Sequence, residues 1–499
     1  MTRIDEILLK GAQLSPHGTA LISKGGAFTY EQLDARVSQL AGALCARGVE
    51  KGDIVALTSK NAPIFIELTM ACSRIGAVCA AFSTRFSCAV LSTLIAQAAP
   101  RLLFVPEDKL ADARAAVLGA QMETECLASE GAAYEALLAS APAPRVAELE
   151  ETDPALLLYT SGTTGTPKGV VLSHGALLAR IEIDRQTMHI NEHTKMLFVL
   201  PFFHVTCVST FVVLASGGVV AIASGAKDYM IVSEIQKTQA THVGLLPYHL
   251  RQLVGYLERT KEQLSSLELV AYGGEPMDAD TLHKCRKLIP CMFWQGYGMT
   301  ETASSIAVVS PEDHATDFCG TTVGRAVPLV EICICADDGT ILPTGKVGEV
   351  WVKTPTIMNG YFNNPEQTAK VMRNGWYLTG DIGWLSVDGR LTLIDRKNEM
   401  FISGGENVYP SEIAACIRKF TGVADVVVER VSDKRWGESA VAFVEPNAGI
   451  KLDPQEISDW CATALGHYKR PKKVVIVDSL QRKETGKVPR EYLLSLLEK

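Results

Sequence analysis

The sequence predicts an α/β architecture with mostly parallel sheets, followed by a β-rich segment and a small α+β unit. Three observations lead there. At 499 residues the chain exceeds what one hydrophobic core supports and divides into two or more domains. Short apolar runs alternate with helical patterns from about residue 28 to about residue 310, as in strands joined by crossover helices. From Thr321 to Asp395 the texture changes to short strands broken by Asp-Gly and Asn-Gly turns, including Asp338-Gly339 and Asp388-Gly389.

Taken in order, residues 28–49 form the first long helix, entered at Thr29, with Leu33, Val37, Leu40, Ala41 and Leu44 at helical spacing. Ile54-Val55-Ala56-Leu57 follows as a buried strand, and another helix runs through Met70. Ala141-Pro142-Ala143-Pro144 marks a surface connection. Residues 196–226 carry no Lys, Arg, Asp or Glu, a length that could span a bilayer. Pro201, His204 and Ser216-Gly217-Gly218 interrupt the run, so it is expected as strand, loop, buried helix and strand within a core, not as a transmembrane segment. After Asp395 a small α+β unit of about a hundred residues runs to the end.

With 47% hydrophobic and 21% charged residues the composition is that of a soluble globular protein. A net charge of −8 argues against nucleic acid or an anionic membrane as the main partner. From Lys397 onward 16 basic residues face 15 acidic ones, a net of +1, which leaves −9 for residues 1–396. Lys469 to Arg490 holds eight basic and two acidic residues, a patch suited to an anionic ligand or to solvent. Thirteen cysteines, no C-x-x-C pair and a polar start, Met1 to Glu6, point to a reducing cytoplasm with cysteines acting as small buried hydrophobes.

The most informative stretch is Tyr159-Thr160-Ser161-Gly162-Thr163-Thr164-Gly165-Thr166-Pro167-Lys168-Gly169. Glycines let a backbone approach a ligand with its N–H groups turned inward, and Ser and Thr add hydroxyl donors. Such a loop suits an oligophosphate. It is not the G-x-x-x-x-G-K-[ST] loop, because Pro167 stands where that pattern needs glycine. Apolar runs on both sides, Ala155 to Leu158 and Val170 to Leu172, set it apart from a flexible linker.

Further motifs follow: Tyr272-Gly273-Gly274-Glu275-Pro276, Gly296-Tyr297-Gly298-Met299-Thr300-Glu301, Tyr377-Leu378-Thr379-Gly380-Asp381, Arg396, Ser403-Gly404-Gly405-Glu406-Asn407 and Thr485-Gly486-Lys487. In this order behind the phosphate loop, they make nearly the whole chain resemble the adenylate-forming superfamily of acyl- and aryl-CoA synthetases, luciferases and peptide-synthetase adenylation domains. The resemblance implies a large N-terminal domain of two α/β subdomains plus a β-rich subdomain, residues 1–395. A small mobile α+β C-terminal domain, residues 396–499, would carry the catalytic lysine. It implies that ATP converts a carboxylic acid to an acyl-adenylate with pyrophosphate release, and that a thiol, coenzyme A here, then takes the acyl group. Both steps build negative charge that cations and N–H donors must meet.

The family's roles fall on matching positions. Thr160, Ser161, Gly162, Thr163, Thr164 and Lys168 would embrace the β- and γ-phosphates. Thr300 would touch the α-phosphate and Glu301 would hold Mg²⁺. Tyr297 would stack on adenine, with Gly274 and Glu275 on its other side; Asp381, assisted by Arg396, would take the ribose hydroxyls. Lys487 would bridge substrate carboxylate and α-phosphate during adenylation, then withdraw as the C-terminal domain rotates. The hinge position, usually Asp or Lys, is Asn398, and Lys469–Lys473 would help hold the phosphates of CoA.

The acyl end would be lined by Phe203, His204, Thr206, Cys207, Tyr248, Tyr272, Gly296, Ala303 and Ser304. Amino-acid-activating relatives have an aspartate after the phenylalanine; here His204 follows Phe203, which disfavours an amino acid. None of these positions is Arg or Lys, which disfavours a diacid. His204 would position or gate, Tyr272 would narrow the pocket floor and Gly296 would open one wall. A short-to-medium-chain or aromatic uncharged acid is therefore expected. A free-standing enzyme loading a carrier protein and an o-succinylbenzoate-type CoA ligase remain the alternatives, and a homodimer is possible.

Overall fold

The alternating strands and helices build two large sheets in the computed structural model, which describes residues 1–499 except 16, 85, 161–166, 317–321, 398, 400, 404–405, 434–436, 466–468, 483–487 and 498–499. The chain divides into two compact units: Met1–Glu331 with Lys353–Tyr377, and Ile332–Val352 with Leu378–Lys499.

The first unit holds a seven-stranded sheet in the order Gly360–Tyr361, Lys168–Ser173, Pro154–Thr160, Val78–Phe82, Ile54–Thr58, Leu102–Val105, Glu125–Ala128. Its interior pairs are parallel, and Pro154–Thr160 with Lys168–Ser173 forms an antiparallel hairpin. A nine-stranded sheet runs Arg325–Ala326, Ser304–Val309, Met292–Met299, Leu269–Gly273, His242–Leu245, Lys195–Phe198, Val219–Ile222, Thr19–Ser23, Gly26–Thr29. Successive side chains of a strand face opposite sides. Leu197, Val243, Leu245, Val270, Tyr272 and Phe293 accordingly enter one core with Ile231, Leu250 and Leu282 of the helices Asp228–Thr238, Pro247–Thr260 and Ala279–Leu288. The alternate positions Met196, Phe198, Gly244, Ala271, Trp294 and Gly296 face the other side, and all six line a pocket there.

The predicted first helix spans Tyr30–Ala46. Thr29 accepts from the Gln32 N–H at 3.2 Å while the Gln32 side chain accepts from the Thr29 N–H at 2.9 Å, so two otherwise orphaned donors are satisfied. The uncharged run folds as expected, into the strand Lys195–Phe198, a turn, the buried helix Val208–Ala215 and the strand Val219–Ile222. Among the described residues no helix is long and apolar enough to cross a membrane.

The second unit contains the strand Leu391–Arg396, most of the β-rich strands Gly348–Lys353 and Trp376–Leu385, and a five-stranded sheet that includes Val423–Asp433, Gly437–Pro446 and Lys473–Ile476. Ile413, Ile417, Val426, Ala442 and Ile457 form its core between that sheet and the helices Pro410–Ile417 and Pro454–Leu465. The expected boundary at residues 395 and 396 falls inside this unit. Asp395 is the penultimate residue of the β-rich hairpin, and its carboxylate accepts from the Ser411 N–H at 3.1 Å and the Ser411 hydroxyl at 2.7 Å. Those bonds fasten the β-rich strands to the first helix of the α+β segment.

Three buried histidines make stability sensitive to acid. Burial pushes His174, His242 and His249 from 6.5 down to about 4. Between those values the unfolded chain takes up protons that the fold refuses, so stability is complete above pH 6.5 and is lost as pH falls toward 4. Each histidine adds a slope of up to about 1.4 kcal/mol per pH unit in that window. The midpoint of thermal unfolding, followed by circular dichroism, is expected to hold from pH 8 to pH 7 and drop steeply between pH 6.5 and 4.5. An unchanged midpoint at pH 5 would contradict this.

Candidate active site

The hairpin that brackets the phosphate loop pairs Thr160 in register with Lys168. Ser161, Gly162, Thr163 and Thr164, on the loop itself, lie outside the described residues. The returning strand is crowded: a Cβ on Gly169 would stand 2.9 Å from Leu157 and 3.2 Å from both Tyr159 and Phe362. The segment 358–362 runs alongside. Phe362 donates its N–H to the Gly169 carbonyl at 2.7 Å, Asn359 to Val171 at 2.8 Å, and Met358 to Glu301 at 2.8 Å.

Tyr361, in that segment, joins the two charged groups of this region. Its hydroxyl donates to Glu301 Oε1 at 2.8 Å, and Lys168 Nζ lies 5.3 Å from its ring centroid, within cation–π range. Sequence reasoning missed it, because nothing in Gly360-Tyr361 signals a partner some sixty residues earlier. The second oxygen of Glu301 has no hydrogen bond among the described residues. A half-exposed carboxylate with one oxygen braced and one available fits a hard cation such as Mg²⁺. Tyr361→Phe is expected to slow adenylation roughly tenfold and to raise the Mg²⁺ concentration needed for half-maximal rate. A Mg²⁺ titration of pyrophosphate release checks this, and an unshifted titration would contradict it.

Thr300 and Glu301 sit on a tight turn, Thr300–Thr302, between the strands Met292–Met299 and Ser304–Val309. Thr302 pins the turn by donating to the Ser304 carbonyl at 2.7 Å and accepting from the Met299 N–H at 3.3 Å. Ala303 is fully buried at φ 49°; it shapes the turn and is not part of the pocket lining, where its neighbour Ser304 is. Tyr297 is half-buried on the first of these strands and Gly274 is exposed at φ 83°. Glu275 accepts from the Tyr248 N–H and from Arg251 at 3.1 Å, so its carboxylate caps the helix that starts at Pro247.

On the pocket side of the nine-stranded sheet lies a cavity of about 160 Å³. Two glycines hold it open. A Cβ on Gly296 would come within 2.3 Å of Ser305 Oγ and 2.6 Å of the Trp294 ring, and one on Gly244 would stand 3.5 Å from the Met196 methyl. Thr206, Tyr272 and Gly296 are brought together in the lining. The Tyr272 ring, however, does not narrow the floor. Strand alternation turns it to the opposite core, where its hydroxyl meets His314 Nε2 at 2.8 Å.

Phe203 packs on the His204 ring at 4.6 Å and lines a separate small crevice with Leu57 and Phe82. Cys207 is fully buried outside the pocket lining, burial pushing its thiol well up. Tyr248 also lies outside the lining, its ring edge-on to His249. The sequence reading missed Asp184 in the lining and Arg180 beside it, a fully buried ion pair one helical turn apart. Their only sequence signal is an i, i+4 charge pair on an otherwise mixed helix.

In the second unit Asp381 and Arg396 are cross-strand partners. Arg396 Nε lies 3.1 Å from Asp381 Oδ1, and the Asp381 N–H donates to Thr379 Oγ1 at 3.0 Å. Asp381 is 5% exposed and the Arg396 side chain 57%, so the carboxylate is fixed and the guanidinium reaches solvent. Lys469, expected to face CoA, instead donates to both oxygens of Glu412 at 2.7 Å. Lys487 and Asn398 lie outside the described residues.

Comparison with known proteins agrees with this geometry. Residues 9–362 match the family model described as AMP-binding enzyme, and residues 412–487 match the AMP-binding enzyme C-terminal domain. The chain is 32% identical over 487 residues to a feruloyl-CoA synthase of an Amycolatopsis species, covering 96% of each chain. It is 32% identical over 509 residues to an indoleacetate–CoA ligase of Aromatoleum aromaticum, covering 99% of this chain and 98% of that one. The ATP-bound crystal structure of MatB from Rhodopseudomonas palustris superposes with a TM-score of 0.90 at 27% identity, over 100% of this chain and 99% of that chain. The chain belongs to the AMP-binding enzyme family, in the acyl- and aryl-CoA synthetase branch of the adenylate-forming superfamily.

Proposed function

We propose that this ATP-dependent acid–CoA ligase activates an uncharged acid carrying an aromatic ring. The observation that carries the reading is the pocket of about 160 Å³, which glycines 244 and 296 keep open beside Trp294 and whose lining includes Gly298 and Ser304, flanking the Thr300–Glu301 turn. It opens where the parallel strands end, the usual place for a ligand in such a sheet. Relatives named for feruloyl and indoleacetate substrates support an aryl acid. Free thiols at the described cysteines fit a reducing, cytoplasmic setting.

In the first half-reaction a carboxylate oxygen attacks the α-phosphorus of ATP and the bond to pyrophosphate breaks. In the second the thiolate of CoA attacks the acyl carbon, and AMP leaves with the oxygen it had been bonded to. Thr160, Lys168 and the loop between them take the β- and γ-phosphates, and Thr300 meets the α-phosphate. Glu301, oriented by Tyr361, would hold Mg²⁺, which when bound neutralises phosphate charge. Tyr297 stacks on adenine beside Gly274, with Glu275 shaping that wall through the helix it caps. Asp381 accepts from the ribose hydroxyls with Arg396 alongside. His204 positions the acid at the pocket mouth, and Lys487 bridges carboxylate and α-phosphate. Rotation about Asn398 separates the two half-reactions.

Acid-dependent pyrophosphate release tests the substrate class. Cinnamates and arylacetates are expected to exceed malonate and amino acids by at least tenfold. Release driven best by a diacid or an amino acid would overturn the reading.

A further inference from the structure

The pocket is largely apolar, and Asp184, Thr206 and Trp294 bring polar atoms to its lining. The helix His174–Thr187 and the residue that caps it touch the nine-stranded sheet at two points. Arg180 on this helix donates to the Ser305 carbonyl, and Ser305 pairs with Gly298 near the end of its strand. The carbonyl of Met188, which caps the helix, contacts His242 at the start of the strand His242–Leu245 at 3.3 Å. Asp184 lies between, four residues and about 6 Å of helix rise beyond Arg180.

Asp184 is 1% exposed, yet it belongs to the lining of the cavity. Arg180 is fully buried and donates to Asp184 Oδ1. The other oxygen, Oδ2, has no hydrogen-bond partner among the described residues. Two more groups of the same lining, Trp294 Nε1 and Thr206 Oγ1, are buried without a partner among them. Buried polar atoms left dry and unpaired are costly, and a wholly apolar tail would leave all three in that state.

We infer that Asp184 accepts a hydrogen bond from a neutral donor, a hydroxyl or a ring N–H, carried at the far end of the acid. This rests on the pocket being the acid site, as proposed above. The charge balance selects a neutral donor: Arg180 and Asp184 already form an ion pair with each other, so an ammonium or a second carboxylate would enter with no counter-charge. A phenol, an indole N–H or a terminal alcohol satisfies Oδ2 without adding charge. Ferulate and indoleacetate, the acids named for the two relatives, each carry such a donor.

The test compares kcat/KM for acyl-CoA formation on matched acids with the full-length protein, ATP, Mg²⁺ and CoA. The aromatic arm is cinnamate, 3- and 4-hydroxycinnamate and 4-methoxycinnamate; the aliphatic arm is octanoate and 8-hydroxyoctanoate. In the wild type a distal hydroxyl is expected to raise kcat/KM roughly ten- to hundredfold over the parent acid, and the arm that shows it names the source. Asp184→Asn keeps the size of the side chain and an oxygen for Arg180, while its amide can also donate. In that variant the hydroxyl advantage is expected to vanish and 4-methoxycinnamate to overtake 4-hydroxycinnamate. The wild-type comparison stands even if the variant does not fold. Parent and hydroxy acids within threefold of one another in both arms would overturn the inference and leave Asp184 as a tie between helix and sheet. No product from any acid would overturn the underlying acid-site reading, and this inference with it.

Discussion

Lys487→Ala is expected to lower acid-dependent pyrophosphate release by roughly a hundred- to a thousandfold, the usual cost of removing one preorganised donor from a developing charge. Transfer of the acyl group from a supplied acyl-adenylate to CoA should stay within a few-fold of the wild type. The asymmetry follows from the chemistry. Adenylation brings a carboxylate against a triphosphate, two anions that repel, and a cation between them lowers the barrier directly. In thioester formation the carbonyl carbon is already activated by its bond to AMP, and the incoming thiolate needs no bridge to the α-phosphate. Rapid-quench measurement of each half-reaction separately checks the prediction. Equal loss of both would mean that Lys487 is one more charge of the Lys469–Arg490 patch or is needed only for folding.

Gly296→Val is expected to raise KM for aryl acids by roughly ten- to two-hundredfold while leaving KM for ATP within a few-fold. The first added carbon alone would meet Ser305 Oγ at 2.3 Å and two Trp294 ring atoms at 2.6 and 2.7 Å. The Ser305 hydroxyl can rotate, but the indole must tilt, and the open side towards which it tilts is the pocket. A thermal melt of the variant separates this from general overpacking, which costs about 1–3 kcal/mol. Unchanged turnover of aryl acids by Gly296→Val would remove this wall from the acid site.

Local signals served the sequence reading well where chemistry is written in short motifs. The α/β alternation, the Thr29 cap, the breakdown of the uncharged run and the apolar runs on both sides of the Ser/Thr/Gly loop all depend on neighbouring residues, and all are found as regular elements. The misses share a different cause. Tyr272 stands in a motif beside the pocket, but only the parity of its strand decides which face its ring takes. Tyr361 becomes meaningful only once a strand pairing sets it against Glu301, and Arg180 and Asp184 only once their helix lies on the sheet. Lys469 looked available as part of a basic run, whereas Glu412, far away in sequence, takes its charge. Residues whose role depends on tertiary neighbours were the ones not legible in advance.

The placement of Asp395 adds a point about motion. Its bonds to Ser411 bind the β-rich strands to the helix that follows, so rotation at Asn398 would have to break them or carry the hairpin along. Ser411→Ala would then alter the rate of switching between half-reactions and leave each isolated half-reaction unchanged.

The central claim is that one uncharged aryl acid passes through an adenylate to CoA in this pocket. Its most direct test is mass spectrometry of the products after incubation with ATP, Mg²⁺, CoA and a mixture of uncharged aromatic and aliphatic acids. The account predicts an aryl-CoA thioester and AMP in equal amounts, both absent with Lys487→Ala. Adenylate and pyrophosphate without thioester, or a thioester formed only from a charged acid, would contradict it.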